Sequence, residues 1–452
     1  MLIGGIHNCG TVGSPASEIL HLRSEILWLE DSRITKKSQM DGKGDHGEYI
    51  GCRQGHTKYI QLQSCMTQYT RFGNPCRPVR PPRNSAADSA ILGRENKSRH
   101  GLCTAKKRQL ESIPHSDNNQ RGFKKMSFVI EFLRRQFTAL PPLPPVSLIG
   151  QNVIVTGANT GLGYETALGL AKLNPARLIC ACRDVERGNA AVQRIRQSSG
   201  VSDETSVEMW LLDLADFNSV KAFAERVEKE LKTVNIVVEN AGVSTLKWSI
   251  TKDGWEKTLQ VNVLATFLLA ILLLPILRRT AKTAEKVPRL VIVASEAQYF
   301  ASFAERSADN IFDALNDEKN ARMLDRYAVS KLLDVFLTRE LANYVEDIEI
   351  CSVHPGLCYS DLNRELRGNP ILDFFLGVFM KAFARTTEQG ATNFIHAAVS
   401  DDVKGRGEFL SDFRVREPVK MVASPEGNKL QKKLWDELIQ IYKNAGFDCG
   451  HL

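Results

Sequence analysis

A tyrosine and a lysine four residues apart could together move a proton to or from a bound molecule. Tyr327 and Lys331 head an apolar-periodic segment, residues 327–345, which predicts a helix, and residues four apart share one helix face. A phenol titrates near ~10, so it works as an acid or base at neutral pH only beside a cation that favours its phenolate. Lys331 could supply that cation, although such a pair taken alone is usually an ordinary surface contact.

A glycine-rich turn at residues 156–163, Thr-Gly-Ala-Asn-Thr-Gly-Leu-Gly, follows the first predicted strand and opens a helix. Gly157 permits a tight turn, Gly161 lets the backbone approach a diphosphate, and Gly163 allows the helix to pack closely on the strand. Free amides at the helix start attract an anion. Because the turn lies between a strand and a helix, we predict that it binds a dinucleotide and is not merely a turn.

The end of the second strand predicts which dinucleotide is bound. Enzymes that use NAD usually carry an acidic residue here, which accepts a hydrogen bond from the 2′-hydroxyl of the adenosine ribose. In this chain the strand ends at Cys182 and Arg183, and Asp184 comes one residue later. Arg183 can form a fork on a 2′-phosphate, whereas Asp184 is better placed to start the next helix. We therefore predict NADP(H) over NAD(H), the alternative being that Arg183 is a surface charge.

Short β-rich runs alternate with amphipathic helices and would position these groups. This pattern predicts a Rossmann-type α/β fold, a doubly wound parallel sheet with helices on both faces, in a single catalytic domain over residues 150–452. The predicted strands are 152–156, 177–182, 207–212, 235–238, 290–294 and 349–353. Residues 126–149 would precede the domain as a short helix, with Phe128, Ile130, Phe132, Leu133 and Phe137 near one side, and a proline-rich linker.

The net charge of +7 is distributed unevenly along the 452 residues. Residues 1–125 carry an excess of nine positive charges and the remainder an excess of two negative charges, so the larger part shows no basic balance that indicates nucleic-acid binding. Residues 1–125 contain little periodic apolar sequence, and we interpret them as a basic disordered extension or a mistaken start. Binding of this piece to nucleic acid or to an anionic membrane is a weaker alternative, and we predict no nucleic-acid partner.

Cysteine and histidine spacing bears on metals and on the cellular compartment. The ten cysteines include no paired CxxC motif, and the six histidines of residues 1–125 are irregularly spaced. We therefore predict no metal ion. A reducing compartment is the default, which predicts a cytoplasmic protein, with association at a membrane surface as a variant of that prediction.

Two apolar stretches invite comparison with membrane segments. Residues 263–277 are almost wholly apolar, but their 15 residues fall short of the ~20 that cross a bilayer and include Pro275. We predict a buried core or dimer-face helix there, and no transmembrane span. Residues 370–383 are interrupted by Asp373 and Lys381. For this segment we favour a flexible lid over an apolar pocket, with peripheral membrane contact as the alternative.

The glycine turn and the Tyr-Lys pair belong to a set of four motifs that follow one another in a fixed order. Residues 156–163, Asn240-Ala-Gly242, Tyr327-x-x-x-Lys331 and His354-Pro-Gly356 together resemble the short-chain dehydrogenase/reductase (SDR) family. Residues 181–184 and 385–390 and the long gap before the tyrosine are most similar to its retinol-dehydrogenase-like branch, including fungal members associated with tailoring secondary metabolites. The resemblance extends from about Met126 to the C-terminus.

The resemblance implies a role for each residue of a catalytic set. Tyr327 would be the general acid/base, and Lys331 would favour its phenolate and contact the ribose. Ser295 would hydrogen-bond the substrate oxygen, and Asn262 would hold the water that relays protons to Lys331. Taken singly, Ser295 could simply end a strand and Asn262 could brace the backbone.

Cofactor contacts follow from the glycine turn, the strand ends and the same resemblance. Asp213 would meet the adenine edge, Asn240 would support the sheet near the cofactor, and residues 355–360 would border the nicotinamide, while His354 is interpreted as structural. The predicted contacts of NADP(H) are Gly157, Asn159, Thr160, Gly161, Leu162, Gly163, Arg183, Asp213, Leu214, Asn240, Ala241, Gly242, Tyr327, Lys331, Pro355, Gly356 and Ser360.

Three positions depart from the usual family pattern. Ala294-Ser295 stands where many members have paired serines, and the catalytic position remains intact. Glu239-Asn240 replaces the usual pair of asparagines and puts a carboxylate near the cofactor. Ser295 and Tyr327 lie 32 residues apart, so residues 296–326 must form a long excursion, which we expect to be one wall of the substrate pocket.

These observations together predict an NADP-dependent oxidoreductase that interconverts a ketone or aldehyde and its alcohol on a lipophilic small molecule. The lipophilic substrate is suggested by Phe374, Phe375, Phe379 and Phe383 in the predicted lid. The alternative is a non-catalytic NADP-sensing or interaction protein on the same fold. Such proteins commonly lose the tyrosine or the lysine, and this chain keeps both. A homodimer, usual in the family, is compatible with the apolar stretch 263–277.

Overall fold

A computed structural model of the chain describes residues 131–132, 134–359, 370–450 and 452, and the side chains of all of these except 370–376. All of them lie in the second of the two units into which the chain divides, Gln109–Leu452. The interpretation of residues 1–125, the predicted helix positions Phe128, Ile130 and Leu133, and the predicted cofactor contact Ser360 lie outside the described residues.

An eight-stranded sheet forms the centre of the fold, in the order β3-β2-β1-β4-β5-β6-β7-β8. Strands β1 to β7 are parallel to their neighbours, and β8 is antiparallel to β7. The strands are β1 (Asn152–Thr156), β2 (Arg177–Cys182), β3 (Ser206–Leu211), β4 (Ile236–Glu239), β5 (Arg289–Val293), β6 (Glu349–Val353), β7 (Arg406–Ser411) and β8 (Arg414–Arg416). This confirms the prediction of a Rossmann-type, doubly wound sheet.

Helices cover both faces of this sheet. The α-helices longer than three residues are α1 (131–132 and 134–137), α2 (Gly161–Ala171), α3 (Val185–Arg196), α4 (Phe217–Glu230), α5 (Ala265–Ala281), α6 (Ile311–Leu315), α7 (Met323–Tyr344), α8 (Pro370–Phe383), α9 (Thr387–Val399) and α10 (Pro425–Asn444). Alternate residues of each strand point to opposite faces. One core joins Ile154 and Ile292 to α4, α5, α7 and α10, and the other joins Val153 and Val291 to α2, α3 and α9.

The apolar stretch at 263–277 lies mostly in α5, inside the first of these cores. Among the described residues, Lys257–Ala281 is the helical segment long and apolar enough to cross a membrane, with a mean hydropathy of 2.3, but 89% of that window is buried inside the protein. Helices with such burial are typical of the cores of globular proteins. The predicted core helix is therefore confirmed.

The segment predicted to be a lid forms α8. At its end Phe383 is buried, with its ring 5.0 Å from that of Phe379 and 5.7 Å from that of Phe137 in α1. Val378 on the same helix is 51% exposed. The side chains of Phe374 and Phe375 lie outside the described residues, and the lid function stays a prediction.

Candidate active site

The glycine turn after β1 has the backbone shape of an anion-binding turn. Gly157 and Gly161 have φ angles of +67° and +58°, which side-chain-bearing residues rarely adopt. Thr160, directly before α2, is extended and makes no side-chain hydrogen bond to the helix. Since the first amides of α2 have no side-chain cap, they are available to the diphosphate of a dinucleotide.

Asn240 holds this turn against the end of β4. Its Nδ2 donates to the carbonyl oxygen of Thr156 at 2.9 Å, and the amide of Ala241 donates to the Thr156 hydroxyl at 2.9 Å. A Cβ at Gly163 would lie 2.3 Å from both Asn240 Nδ2 and the Gly157 carbonyl oxygen. The position therefore accepts only glycine without movement of the turn.

Replacing this glycine should weaken cofactor binding. Gly163→Ala must displace the backbone of Gly157 or the Asn240 side chain, at a cost of about 1–3 kcal/mol, so we expect about a 10-fold or greater loss of dinucleotide affinity in a fluorescence titration. Gly169→Ala on the same helix is the control, because its Cβ meets only the movable Cδ1 end of Ile395. Equal affinities of the two variants would contradict the assigned packing.

The end of β2 presents the predicted phosphate-binding arginine. Arg183 is exposed directly after the strand, and Asp184 caps α3 by accepting a hydrogen bond from the amide of Arg187 at 3.0 Å. The prediction that Asp184 starts a helix is therefore confirmed. Because its carboxylate already serves as a cap, the acid next to Arg183 has a structural role of its own.

Arg194 on α3 is a neighbour of the glycine turn that sequence reasoning missed. Its guanidinium lies 4.3 Å from the centroid of the Tyr164 ring and donates to the carbonyl oxygen of Asn159 at 3.3 Å. This contact braces the turn from the helix side. In the sequence it is one arginine among several on the exposed face of α3, so no spacing distinguished it.

Asp213 follows the edge strand β3 and is half-buried. Its Oδ1 accepts a hydrogen bond from the amide of Ala215, and its own amide donates to the hydroxyl of Ser219, both at 3.0 Å. Leu214 beside it is buried. These bonds fix the backbone at the carboxyl end of β3, the edge of the sheet at which ligands of this fold class bind.

The Tyr-Lys pair lies near the start of α7, which begins four residues earlier than predicted. Tyr327 is half-buried and Lys331 is 5% exposed. The Lys331 ammonium donates to the carbonyl oxygen of Val293 at 2.8 Å and to Oδ2 of Asp334 at 2.9 Å. A Cβ added to Gly242 would lie 3.8 Å from this Nζ, so the lysine reaches the segment that Asn240 begins.

Asn262 joins three elements behind the pair. It lies in a π-helical segment, Gln260–Leu264, that leads into α5, and such turns are frequent at functional sites. Its Nδ2 donates to the Val243 carbonyl at 2.9 Å and to the Ser330 hydroxyl at 3.0 Å, and its Oδ1 accepts from the Val243 amide at 2.8 Å. The side chain thus braces α7 against the chain after β4, and the role with water stays a prediction.

Ser295 stands two residues after β5 and starts the long excursion to α7. Its Oγ accepts a hydrogen bond from the Ala297 amide at 3.1 Å, and its hydroxyl hydrogen can still be donated to a substrate oxygen. The excursion contains three 3₁₀ turns, Glu296–Phe300, Ala304–Ser307 and Glu318–Asn320, and helix α6. The first of these turns packs on α7. Its place in one wall of a substrate pocket stays a prediction.

Helix α1 is hydrogen-bonded to the loop after β6. Gln136 donates from Nε2 to the Leu357 carbonyl at 2.5 Å and accepts at Oε1 from the Leu357 amide at 3.3 Å. Gly356 has a φ of +84°, and a Cβ there would lie 3.0 Å from Arg385 Nη1 and 3.1 Å from Gln136 Oε1. A helix that precedes β1 therefore helps to hold the loop that contains the predicted contacts Pro355 and Gly356.

A network of buried and half-buried charges fixes the same loop. Arg135 of α1 pairs with Glu296 and, at 2.8 Å, with Asp412, and Asp412 also accepts from Arg385 at 2.7 Å. His354 accepts a hydrogen bond at Nδ1 from the Gly356 amide at 3.0 Å. Burial, reinforced by Arg135, lowers the pKa of His354 to about 3. A neutral, hydrogen-bonded imidazole agrees with the structural role expected for it.

This histidine should make the protein less stable in acid. Because its pKa is about 3 when folded and ordinarily about 6.5, the unfolded chain alone takes up the proton as the pH falls between these values, and stability is lost. From pH 7 to pH 5 the loss should be about 2 kcal/mol. We expect His354→Asn to remove this contribution in urea unfolding at the two pH values, whereas an unchanged pH dependence would contradict it.

Contacts connect the glycine turn to the lysine without interruption. Asn240 donates a hydrogen bond to the start of the turn, and Gly242, two residues later, packs next to Lys331 and Asn262. Lys331 in turn donates to the carbonyl oxygen of the last residue of β5, which lies two positions before Ser295. The structure thus brings the predicted residues of both motifs to one edge of the sheet. Over the part of the chain that is described, no group of three His, Cys, Asp or Glu side chains is arranged to hold a metal ion.

Comparisons with known proteins match this chain over most of its described length. A family described as short chain dehydrogenase matches residues 151–307. The chain is 39% identical over 333 residues to "Short-chain dehydrogenase anuD" of Penicillium roqueforti, covering 72% of this chain and 85% of that protein. It is 40% identical over 290 residues to "Short chain dehydrogenase sol3" of Alternaria solani, covering 64% and 98%. A solved structure of an uncharacterized protein from Mycobacterium Paratuberculosis shares the fold, with 24% identity and a TM-score of 0.50 over 67% of this chain and 96% of that one.

Proposed function

Because the chain belongs to the short-chain dehydrogenase/reductase family of oxidoreductases, we propose that it is an NADP(H)-dependent enzyme that interconverts a ketone or aldehyde and the corresponding alcohol on a lipophilic small molecule. The observation that carries the proposal is the continuous contact from the glycine turn through Asn240 and Gly242 to Lys331. This contact supports the proposal because hydride transfer requires a dinucleotide-binding turn and an acid–base pair at one edge of the sheet.

Each side chain then has a distinct task in proton transfer. A bound nicotinamide would supply or accept the hydride. The Tyr327 hydroxyl gives its proton to the carbonyl oxygen in reduction and takes it back in oxidation. Ser295 donates a hydrogen bond to that oxygen as negative charge develops, and the Lys331 ammonium stabilises the phenolate that remains. Asn262 would hold the water through which Lys331 exchanges protons with solvent.

The preference for NADP(H) rests on the end of β2. Arg183 is exposed at the position that faces the adenosine ribose in this fold, and the neighbouring Asp184 is engaged as the cap of α3. A guanidinium presents two donors to a phosphate in a fixed fork. This arrangement supports a 2′-phosphate contact better than it supports acceptance of a 2′-hydroxyl.

A lipophilic substrate is supported by exposed apolar side chains on α7 and on the turn that packs against it. Leu324, three residues before Tyr327 on α7, is 87% exposed, and Phe300 at the end of the first 3₁₀ turn is 69% exposed. Exposed apolar side chains around a site are typical of surfaces that contact apolar ligands. Assignment to the retinol-dehydrogenase-like branch and to secondary metabolism is the narrower form of this proposal, and the named fungal relatives are compatible with it.

We further propose a cytoplasmic protein, with α8 as a lid or as a peripheral membrane contact and with a homodimer as the assembly. The five described cysteines are free and buried, which fits a reducing compartment. Val378 and the other exposed residues of α8 form the surface that either alternative for this helix would use.

The full-length protein tests the proposal in a screen of NADPH and NADH oxidation. Ketones and aldehydes of graded size and hydrophobicity are offered, and we expect turnover with NADPH that increases with the apolar area of the substrate. Binding of NADPH without turnover of any carbonyl, and without NADP reduction by the matching alcohols, would favour a non-catalytic cofactor sensor instead.

A further inference from the structure

Two buried carboxyl groups lie behind Lys331 and have no task in the scheme above. Asp334, one turn further along α7, is fully buried, with Oδ2 2.9 Å from the Lys331 ammonium. Glu239, the last residue of β4, is 3% exposed and interacts electrostatically with Asp334. Buried acids are rare in proteins unless they are paired or protonated, so this pair requires an explanation.

The oxygens of the two acids are incompletely bonded. Oδ1 of Asp334 and both Oε atoms of Glu239 have no hydrogen-bond partner among the described residues. Two titratable groups of the described part of the chain, other than the acids themselves, interact with them: Lys331 with Asp334, and Tyr442 with Glu239. Burial, and then the charge of Asp334, raises the pKa of Glu239 well above its ordinary value. Burial also raises the pKa of Asp334, to about 6, but Asp334 is the acid of the two that bonds a cation, so above that pH the negative charge of the pair lies on Asp334.

That charge is directed at the lysine. Burial alone would lower the pKa of Lys331, but the carboxylate of Asp334 outweighs this effect and holds the pKa above its ordinary value. Without a counter-ion, a buried amine tends to lose its proton. The positive charge that the proposed chemistry needs beside Tyr327 thus depends on Asp334.

We propose that Asp334 is a positioning residue, whose carboxylate is the buried counter-ion of Lys331 and fixes its ammonium beside the Val293 carbonyl. The inference rests on the proposed function for its catalytic consequence, since Lys331 matters only where Tyr327 exchanges a proton. The ion pair itself is independent of any reaction and can be measured without one.

The first test is the pH dependence of kcat for Asp334→Asn, with Glu239→Gln as the matched acid-to-amide change next to it. In Asp334→Asn the lysine is an unpaired buried cation, so it loses its proton at lower pH, and we expect the decline of kcat at high pH to move down by about one pH unit or more. Glu239→Gln changes the acid that makes no hydrogen bond to the lysine and should keep the wild-type profile shape. Superimposable profiles of Asp334→Asn and the wild type would overturn the proposal.

The second test needs neither cofactor nor turnover, and it separates this inference from the proposed function. Lys331→Met leaves the Asp334 carboxylate buried without a partner, so we expect a lower Tm at pH 8, and Lys331→Met with Asp334→Asn should recover most of that loss. If Lys331→Met fails to fold while the double variant folds, that outcome also supports the pairing, because removing the unpaired carboxylate restores the fold. Additive losses of Tm, or a double variant no more stable than Lys331→Met, would overturn the pairing. A wild-type protein without turnover that still shows the recovery would refute the proposed function and leave the ion pair established.

Discussion

Tyr327→Phe should reduce turnover by about 10³-fold while leaving the dissociation constant of NADPH nearly unchanged. The change deletes one hydroxyl, the group that we assign to proton transfer, and preserves the ring that packs at the start of α7. Because no other described side chain is assigned that proton, the loss should appear in kcat and not in KM alone. The measurement is NADPH oxidation at saturating substrate, with cofactor binding followed by fluorescence.

Tyr344→Phe provides the matched control, because it removes a hydroxyl from the far end of the same helix. The Tyr344 hydroxyl accepts a hydrogen bond from Lys432 at 3.1 Å. The Tyr344 ring stacks on Trp435, with 5.4 Å between the ring centroids. We expect wild-type kcat for this variant. Retention of activity by Tyr327→Phe, or an equal loss in both variants, would overturn the assignment of Tyr327 as the general acid/base.

The buried strands were predictable because their residue types favour few secondary structures other than a buried strand. β1, β2 and β6 begin and end at the predicted residues, and β3, β4 and β5 differ by one residue at each end. Runs of Val, Ile and Cys buried on both faces occur where a parallel sheet is covered by helices on either side. The start of α7 was missed by one turn, because its first residues, from Met323, carry no side-chain cap that would signal a helix start.

The hairpin of β7 and β8 was not predicted, and its turn explains why. The two residues between the strands, Asp412 and Phe413, have φ angles of +52° and +61°. Two-residue turns of this shape are usually signalled by Asn-Gly or Asp-Gly, which adopt such angles readily. Here Asp412 is fixed by ion pairs with Arg135 and Arg385, and both arginines lie far from Asp412 in the sequence. A local pattern cannot contain that information.

The same distinction applies to the site. Motif residues such as Gly163 and Asn240 were identifiable because their chemistry depends on local backbone shape and on a short spacing. The hydrogen bonds between Gln136 and Leu357 join positions 221 residues apart, and the local sequence around either residue does not indicate them. Asp334 lies only three residues from Lys331, but its proposed role depends on complete burial. The sequence of α7 carries polar residues on several faces and therefore did not predict that burial.

Arg183→Asp should reverse the cofactor preference by about 100-fold in the ratio of kcat/KM for NADPH to that for NADH. The substitution removes a forked pair of charge-assisted hydrogen bonds to the 2′-phosphate, each worth about 1.5–3 kcal/mol, and adds a like-charge repulsion. It also supplies an acid that can accept from the ribose 2′-hydroxyl of NADH. Since Asp184 already caps α3, the new carboxylate would be free for the ribose without disturbing the helix start.

Lys221→Asp, the same charge change on the exposed face of α4, separates the local contact from the overall charge of the protein. Lys221 pairs only loosely with Glu225, at 3.9 Å, and is 55% exposed, so we expect its variant to keep the wild-type cofactor ratio. A charge effect acting at long range would shift both variants similarly and would weaken with salt. A phosphate contact predicts instead that the Arg183 variant alone changes the ratio and that the change persists at high ionic strength. An unchanged ratio in Arg183→Asp would show that the selectivity for the cofactor lies elsewhere in the site.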